Sequence, residues 1–136
     1  MTLALDTNVL IELVRGKSPA TRRQFDDAET AGLSMVTSLV VLHELLLGCE
    51  LHHDPAQERL RVRKVLEDVI VEPLDESDVS VAARLQANLR RKGWAIGSLD
   101  SLIAGQALAR DWTLVTVNTR EFGRIAGLKI IDWTAS

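Results

Sequence analysis

The sequence predicts an α/β protein: a small, mostly parallel sheet of four to five strands flanked by helices. Three observations carry this. Short apolar runs of the kind buried on both faces of a parallel sheet alternate with longer segments of helical period. Small polar residues or glycines punctuate nearly every junction. Strand–helix alternation of this kind closes by right-handed crossovers between parallel strands. The 136 residues suit one domain over residues 1–136, with no repeat and no low-complexity segment, and 46% hydrophobic with 26% charged residues is an ordinary globular balance.

Taken in order, residues 3–5 (Leu, Ala, Leu) read as the first strand, and Asp6 stands where it ends. Thr7 or Asn8 can cap the helix that follows, which stops near Gly16 and Pro19. Residues 21–30 form a charged surface helix anchored by Phe25 and Ala28, and residues 33–37 form a second strand. Thr37 or Ser38 then caps a helix over residues 39–48. That helix is apolar nearly all round except for His43 and Glu44, so it is expected to be buried. Asp54-Pro55 opens a helix to about residue 68 carrying Arg59, Arg61, Arg63 and Lys64, most simply a solvated face. Residues 69–71 are the third strand; Asp75 or Ser77 caps a long amphipathic helix to Lys92, with Gly93 its C-terminal stop. Ser98 can cap the next helix, which puts Asp100 in its first turn. Residues 113–117 are the fourth strand, ended by Asn118, and Thr119 caps a short helix holding Glu121 and Phe122. Residues 129–131 close the sheet.

The formal net charge is −3, so bulk electrostatics do not attract nucleic acid, and a polyanionic substrate would need a local basic patch or a metal ion. Cys49 is alone, which excludes an intrachain disulfide and fits a reducing compartment. There is no signal-peptide pattern and no apolar stretch long enough for a membrane span, so the expected location is cytoplasmic.

Asp6, Glu44 and Asp100 stand out, with Asn118 and Glu121 behind them. Ligands of open α/β sheets gather beyond the carboxyl ends of the strands, where Asp6 and Asn118 lie. Glu44 shares a helix face with Val40, Leu47 and Gly48, and an ionised carboxylate there costs several kcal/mol or shifts its pKa upward unless compensated. Asp100 shares its face with small apolar residues; the helix dipole alone favours an acid in a first turn but gives no reason for it to point inward. Carboxylates converging without a counter-ion repel one another, and a hard divalent cation such as Mg²⁺ or Mn²⁺ resolves the repulsion.

Residues 5–11 (LDTNVLI), 43–48 (HELLLG), 99–104 (LDSLIA) and 115–122 (VTVNTREF) resemble, in order and spacing, the successive motifs of PIN-domain ribonucleases, and within these the VapC toxins of type II toxin–antitoxin pairs. The resemblance covers essentially the whole chain. It implies a PIN-like three-layer α/β/α fold and Mg²⁺- or Mn²⁺-dependent cleavage of RNA. It further implies inhibition by a cognate VapB-like antitoxin, homodimers and antitoxin-bound hetero-oligomers. Asp6 and Asp100 match the family's metal-binding acids, and Glu44 the acid that completes the cluster, through water or directly. Asn118 falls where many relatives carry a fourth acid, which implies one well-occupied ion unless Glu121 supplies the missing charge. Thr7 and Thr116 can hydrogen-bond the acids.

An Asp-x-Asp phosphatase is excluded by Asn8 and by chain length. Cys49, His52 and His53 lack the spacing of a four-ligand zinc site. His43 is a packed or solvent-edge histidine sooner than a general base, and Trp94, Trp112 and Trp133 are expected in the core or at a dimer contact sooner than as a stacking platform. Arg90-Arg91-Lys92 leads toward Asp100 and is a candidate phosphate contact; cations favoured at a helix C-terminus explain it equally. A stand-alone nuclease in RNA processing and a non-catalytic PIN-fold binding module remain the alternatives to a toxin. Asp6→Asn is expected to abolish cleavage with the fold intact or slightly firmer, and Mg²⁺ or Mn²⁺ to raise the melting temperature.

Overall fold

Polar side chains close most junctions between a strand and its following helix, and they set where the chain turns. In the computed structural model, which describes residues 1–135, β1 (Thr2–Leu5) ends at Asp6, whose carboxylate accepts the Thr7 N–H and begins α1 (Thr7–Arg15). Gly16 ends that helix in the left-handed region at φ 66°. After α2 (Pro19–Thr30), β2 (Ser34–Ser38) ends in Ser38, which caps α3 (Leu39–Glu50) through the Val40 N–H. Asp54 caps α4 (Pro55–Leu66), which leads to β3 (Ile70–Glu72). Asp75 and Asp78 exchange side-chain and backbone bonds in a capping box at the start of α5 (Glu76–Arg91). The chain ends with α6 (Ser98–Ala109), β4 (Thr113–Val115), α7 (Thr119–Phe122) and β5 (Lys129–Ile131).

The five strands are all parallel in the order β3-β2-β1-β4-β5. The chain leaves β1 on one side for β2 and β3, then crosses over to β4 and β5. Asp6 therefore sits at the topological switch point, with strands diverging on either side. Right-handed crossovers place α1–α4 over one face and α5–α7 over the other, the three-layer arrangement the sequence predicts. The central strands are buried on both faces, with Leu5, Leu114 and Val115 at most 1% exposed.

The α5–α6 pair approaches closely because Gly105 faces Ala82: a Cβ built at Gly105 would lie 2.5 Å from the Ala82 Cβ and 2.6 Å from its Cα and N. Gly105→Ala gains helix propensity of up to ~1 kcal/mol but drives a methyl into backbone, an overpacking cost of typically ~1–3 kcal/mol. The variant is expected to melt several degrees below wild type; an equal or higher melting temperature would show that the two helices part freely.

Three sequence expectations change. Helix α3 is not buried all round: Val40, Val41, Leu45 and Cys49 face the core, whereas Leu39 and Leu47 are about half exposed. Its apolar residues exceed what one packed face can take. The caps also move. Asp6 itself, not Thr7 or Asn8, caps α1; Gly97, without a side-chain bond, precedes α6 in place of Ser98; Asn118, not Thr119, caps α7. The fourth strand is shorter than residues 113–117, although the Thr116 N–H still donates to the Ile131 carbonyl. Trp112 and Trp133 are buried as expected, the latter edge-on to Phe25, while Trp94 is 38% exposed. Among the described residues, no helix is long and apolar enough to cross a membrane.

Candidate active site

The carboxyl end of β1 delivers Asp6 into a buried setting, 5% exposed, where each of its oxygens is held by a threonine. Thr7 N–H donates to Oδ1 at 2.8 Å, and the Thr116 hydroxyl, from the end of β4, donates to Oδ2 at 2.8 Å. Asn118 N–H in turn donates to Thr116 Oγ1 at 3.0 Å, so the turn after β4 orients the hydroxyl that orients Asp6. The backbone beneath is pinned as well: the fully buried Thr37 on β2 donates its hydroxyl to the Leu5 carbonyl at 2.7 Å. Sequence reasoning missed Thr37 as a support, since a strand threonine carries no local sign of a partner across the sheet.

Thr7 has a second task. Its hydroxyl donates to Glu44 Oε1 at 2.8 Å, so one residue ties the acid of β1 to the acid of α3. Asp100 enters from the first turn of α6, half-buried. Glu121, in α7, accepts from the Asn118 side-chain amide at 3.0 Å, while Asn118 Oδ1 caps the same helix. Asn118 thus fixes the Glu121 side chain.

Electrostatics bind the four acids into one cluster. Burial raises Asp6 above the ordinary carboxylate range; its bonds from Thr116 and Thr7 pull the other way, and the Glu44 charge adds to the rise. Asp100 is pushed up to about 6, first by burial and then by the negative charges of Asp6, Glu44 and Glu121. Asp6 and Glu44 are tied through Thr7, and Asp100 lies within reach of the charges of both and of Glu121. Among the described residues, no cation offsets that repulsion at Asp100.

All donors in the cluster are hard carboxylate oxygens, the set that suits Mg²⁺ or Mn²⁺ over softer ions. Among the described residues, no three His, Cys, Asp or Glu side chains are drawn close enough to hold an ion between them directly. Mg²⁺ keeps several waters and needs only one or two carboxylates, so the donor set fits an ion held partly through water. His43 is exposed beside Glu44. His52 and His53 stack on each other with ring centroids 4.3 Å apart, and His52 lies 3.6 Å from Glu58.

The cluster makes the free protein's stability depend on pH. A raised folded-state pKa means stability is fully present below the unfolded value and is lost as pH rises through the folded one. For Asp100 that window runs from 3.8 to about 6. The metal-free protein should therefore melt higher at pH 5 than at pH 7.5, and the difference should shrink in Asp100→Asn. Identical pH profiles for the two proteins would remove Asp100 from the cluster.

The PIN domain family model matches residues 3–128. The chain is 32% identical over 130 residues to the tRNA(fMet)-specific endonuclease VapC of Shigella flexneri, covering 96% of each chain. It is 30% identical over 135 residues to ribonuclease VapC1 of Rickettsia felis, again covering 96% of each. Among solved structures it matches VapBC2 from Rickettsia felis bound to a promoter DNA fragment, with a TM-score of 0.92, 26% identity and coverage of 98% of this chain and 99% of that one. DNA-bound VapBC from Salmonella typhimurium gives a TM-score of 0.89 at 32% identity, with 98% of each chain covered.

Proposed function

Because the chain belongs to the PIN domain family and, within it, to the VapC ribonucleases, we propose that it is a toxin endoribonuclease restrained by a VapB-like antitoxin. The observation that carries the reading is the mutual repulsion of Asp6, Glu44, Asp100 and Glu121 near the switch point of a parallel sheet, with no cation among the described residues to balance it at Asp100. We assign Asp6, Asp100 and Glu44 as the groups that hold a Mg²⁺ or Mn²⁺ ion, and Asn118 as the residue that positions Glu121. When bound, such an ion lowers the pKa of a water to make a nucleophile near neutral pH and offsets charge on the phosphodiester.

The protein's own groups do the rest. Thr7 and Thr116 fix both Asp6 oxygens, so the carboxylate meets its ligand without reorganising. Thr7 holds Glu44 at a set distance from Asp6. In the metal-free site Asp100 titrates at about 6, so protons compete with metal there and cleavage is expected to decline as pH falls below neutrality. The partner side of the reading, an antitoxin-bound hetero-oligomer, is supported by the VapBC complexes that the chain matches in fold.

The test is cleavage of a mixed cellular RNA pool by purified protein freed of antitoxin, with Mg²⁺ or Mn²⁺ and then with EDTA. Discrete, metal-dependent products support the nuclease, and growth arrest on expression separates a toxin from a processing enzyme. Silence from a folded, metal-loaded protein would leave the non-catalytic binding module. The same ions should raise the melting temperature of the free protein by linkage, ~2.7 kcal/mol at a hundredfold excess over Kd; no shift at millimolar metal would count against the assigned ligands.

A further inference from the structure

An active site on a phosphodiester must also hold the strand on either side of the scissile bond, and an acidic cluster cannot do so. We propose that Trp94, Lys92 and Arg124 form a nucleotide subsite at the lip of the cluster, gripping one base and its phosphate; the proposal rests on the nuclease reading above.

Two structural elements that carry the acids meet at Trp94. Gly93, at φ 77°, turns the chain out of α5, and the Trp94 N–H returns to the Leu89 carbonyl at 2.9 Å. Gln86 on α5 donates to the Ile96 carbonyl at 3.4 Å and to Ser98 Oγ at 3.3 Å, tying this loop to the first turn of α6, where Asp100 lies. From the other side, Arg124 follows α7, its N–H bonded to the Glu121 carbonyl at 3.2 Å. Its guanidinium lies 5.2 Å from the Trp94 ring centroid, and the Lys92 ammonium 5.6 Å. The indole therefore bridges the segments bearing Asp100 and Glu121.

The surroundings suit a nucleic acid. Trp94 is the exposed tryptophan of the three, at 38%, against 9% for Trp112 and 5% for Trp133. Among the described residues, neither Lys92 nor Arg124 lies in an ion pair, whereas Arg110 and Lys129 do. An unpaired cation over an exposed ring is weakly held and can swing to a phosphate, freeing the ring to stack. Beyond Arg124 runs an open groove of about 360 Å³ between α5 and the segment after α7. Arg84, Asn88 and Arg124 stand on its walls, Leu85 and Ile125 lie in its floor, and no carboxylate lines it. On a chain of net charge −3 this is a locally basic groove. Of Arg90-Arg91-Lys92, Lys92 lies over the Trp94 ring as well as at a helix end.

The test uses the full-length protein in the cleavage-dead Asp100→Asn background and a labelled short single-stranded oligoribonucleotide. Trp94→Ala should weaken binding by about 10-fold or more, with Trp94→Phe retaining most of it. Arg124→Gln should weaken binding and reduce the salt slope by about 1, as for one lost phosphate contact. In the active protein Trp94→Ala should raise KM more than it lowers kcat. Melting temperatures confirm that the variants fold, which an exposed side chain allows. Wild-type affinity in both Trp94→Ala and Arg124→Gln would overturn the subsite while leaving the nuclease standing. An altered oligomeric state with unchanged RNA affinity would reassign the patch to a protein partner. Failure of the parent protein both to bind and to cleave RNA would overturn the nuclease reading and this proposal together.

Discussion

Asp100→Asn is expected to lose RNA cleavage by more than the ~10–100-fold that outer partners of a metal ligand cost, while the metal-free protein melts slightly higher. Both halves follow from the same repulsion. At neutral pH an ionised Asp100 faces Asp6, Glu44 and Glu121 in a partly desolvated site. The neutral amide relieves that, by about 1 kcal/mol at most after solvent screening, or a few degrees of melting temperature. Lost attraction to the helix N-terminus subtracts a few tenths. Kinetics with saturating Mn²⁺ alongside thermal melts in EDTA check the pair. Cleavage persisting within about 10-fold of wild type would remove Asp100 from the machinery. A lower melting temperature would mean that its charge is compensated in the fold.

Asp100 is a cleaner probe of the repulsion than Asp6. Asp6→Asn also relieves repulsion, but both Asp6 oxygens already accept bonds, and Thr116 would have to turn its hydroxyl away from the new amide. Thr116 already accepts the Asn118 N–H, so its own proton would lose its partner. Part of the gain at Asp6 is thereby cancelled, whereas among the described residues no side chain donates such a bond to Asp100.

What was legible in the sequence is what local pattern encodes. Asp6 announces itself as the residue where an apolar strand stops, and Asp100 as an acid on an apolar helix face. Glu44 is legible for the same reason. The link between Asn118 and Glu121 was left open because a capping geometry, not a spacing, decides which way Glu121 turns. Whether Trp94 lies in the core or on the surface was not legible, because a tryptophan beside cations looks the same in sequence whether covered or open. The faces of α3 could not be told apart, since leucine fills both.

The least legible feature predicts the largest loss of stability. Arg110 looks like a cation at a helix end, and Asp78 like an acid in a first turn, each explained by the helix dipole alone. In the fold they meet: Arg110 donates to both Asp78 oxygens, at 3.2 and 2.7 Å, to Glu72 at 3.3 Å and to the Pro73 carbonyl at 2.7 Å. This joins the end of β3, the start of α5 and the end of α6. The Asp78 side chain is 1% exposed. Burial pushes its pKa up, but the Arg110 bonds, the Asp75 N–H and the Arg110 charge outweigh that and leave it below the ordinary value. Arg110→Met would strand the carboxylate. Because Arg110 is itself 23% exposed, the lower end of the ~3–5 kcal/mol range for breaking a buried pair applies, or roughly 10 °C. The pH dependence identifies the cause. A depressed pKa gives wild type stability that is present above the unfolded value of 3.8 and lost as pH falls through the folded one. In the variant Asp78 titrates higher and is relieved by acid, so the gap between the two proteins should be widest near neutrality and narrow toward pH 4. Adding Asp78→Asn to Arg110→Met should recover much of the loss, because the neutral side chain keeps the cap without the stranded charge. A constant gap across pH would mean that packing, not charge, is what Arg110 supplies.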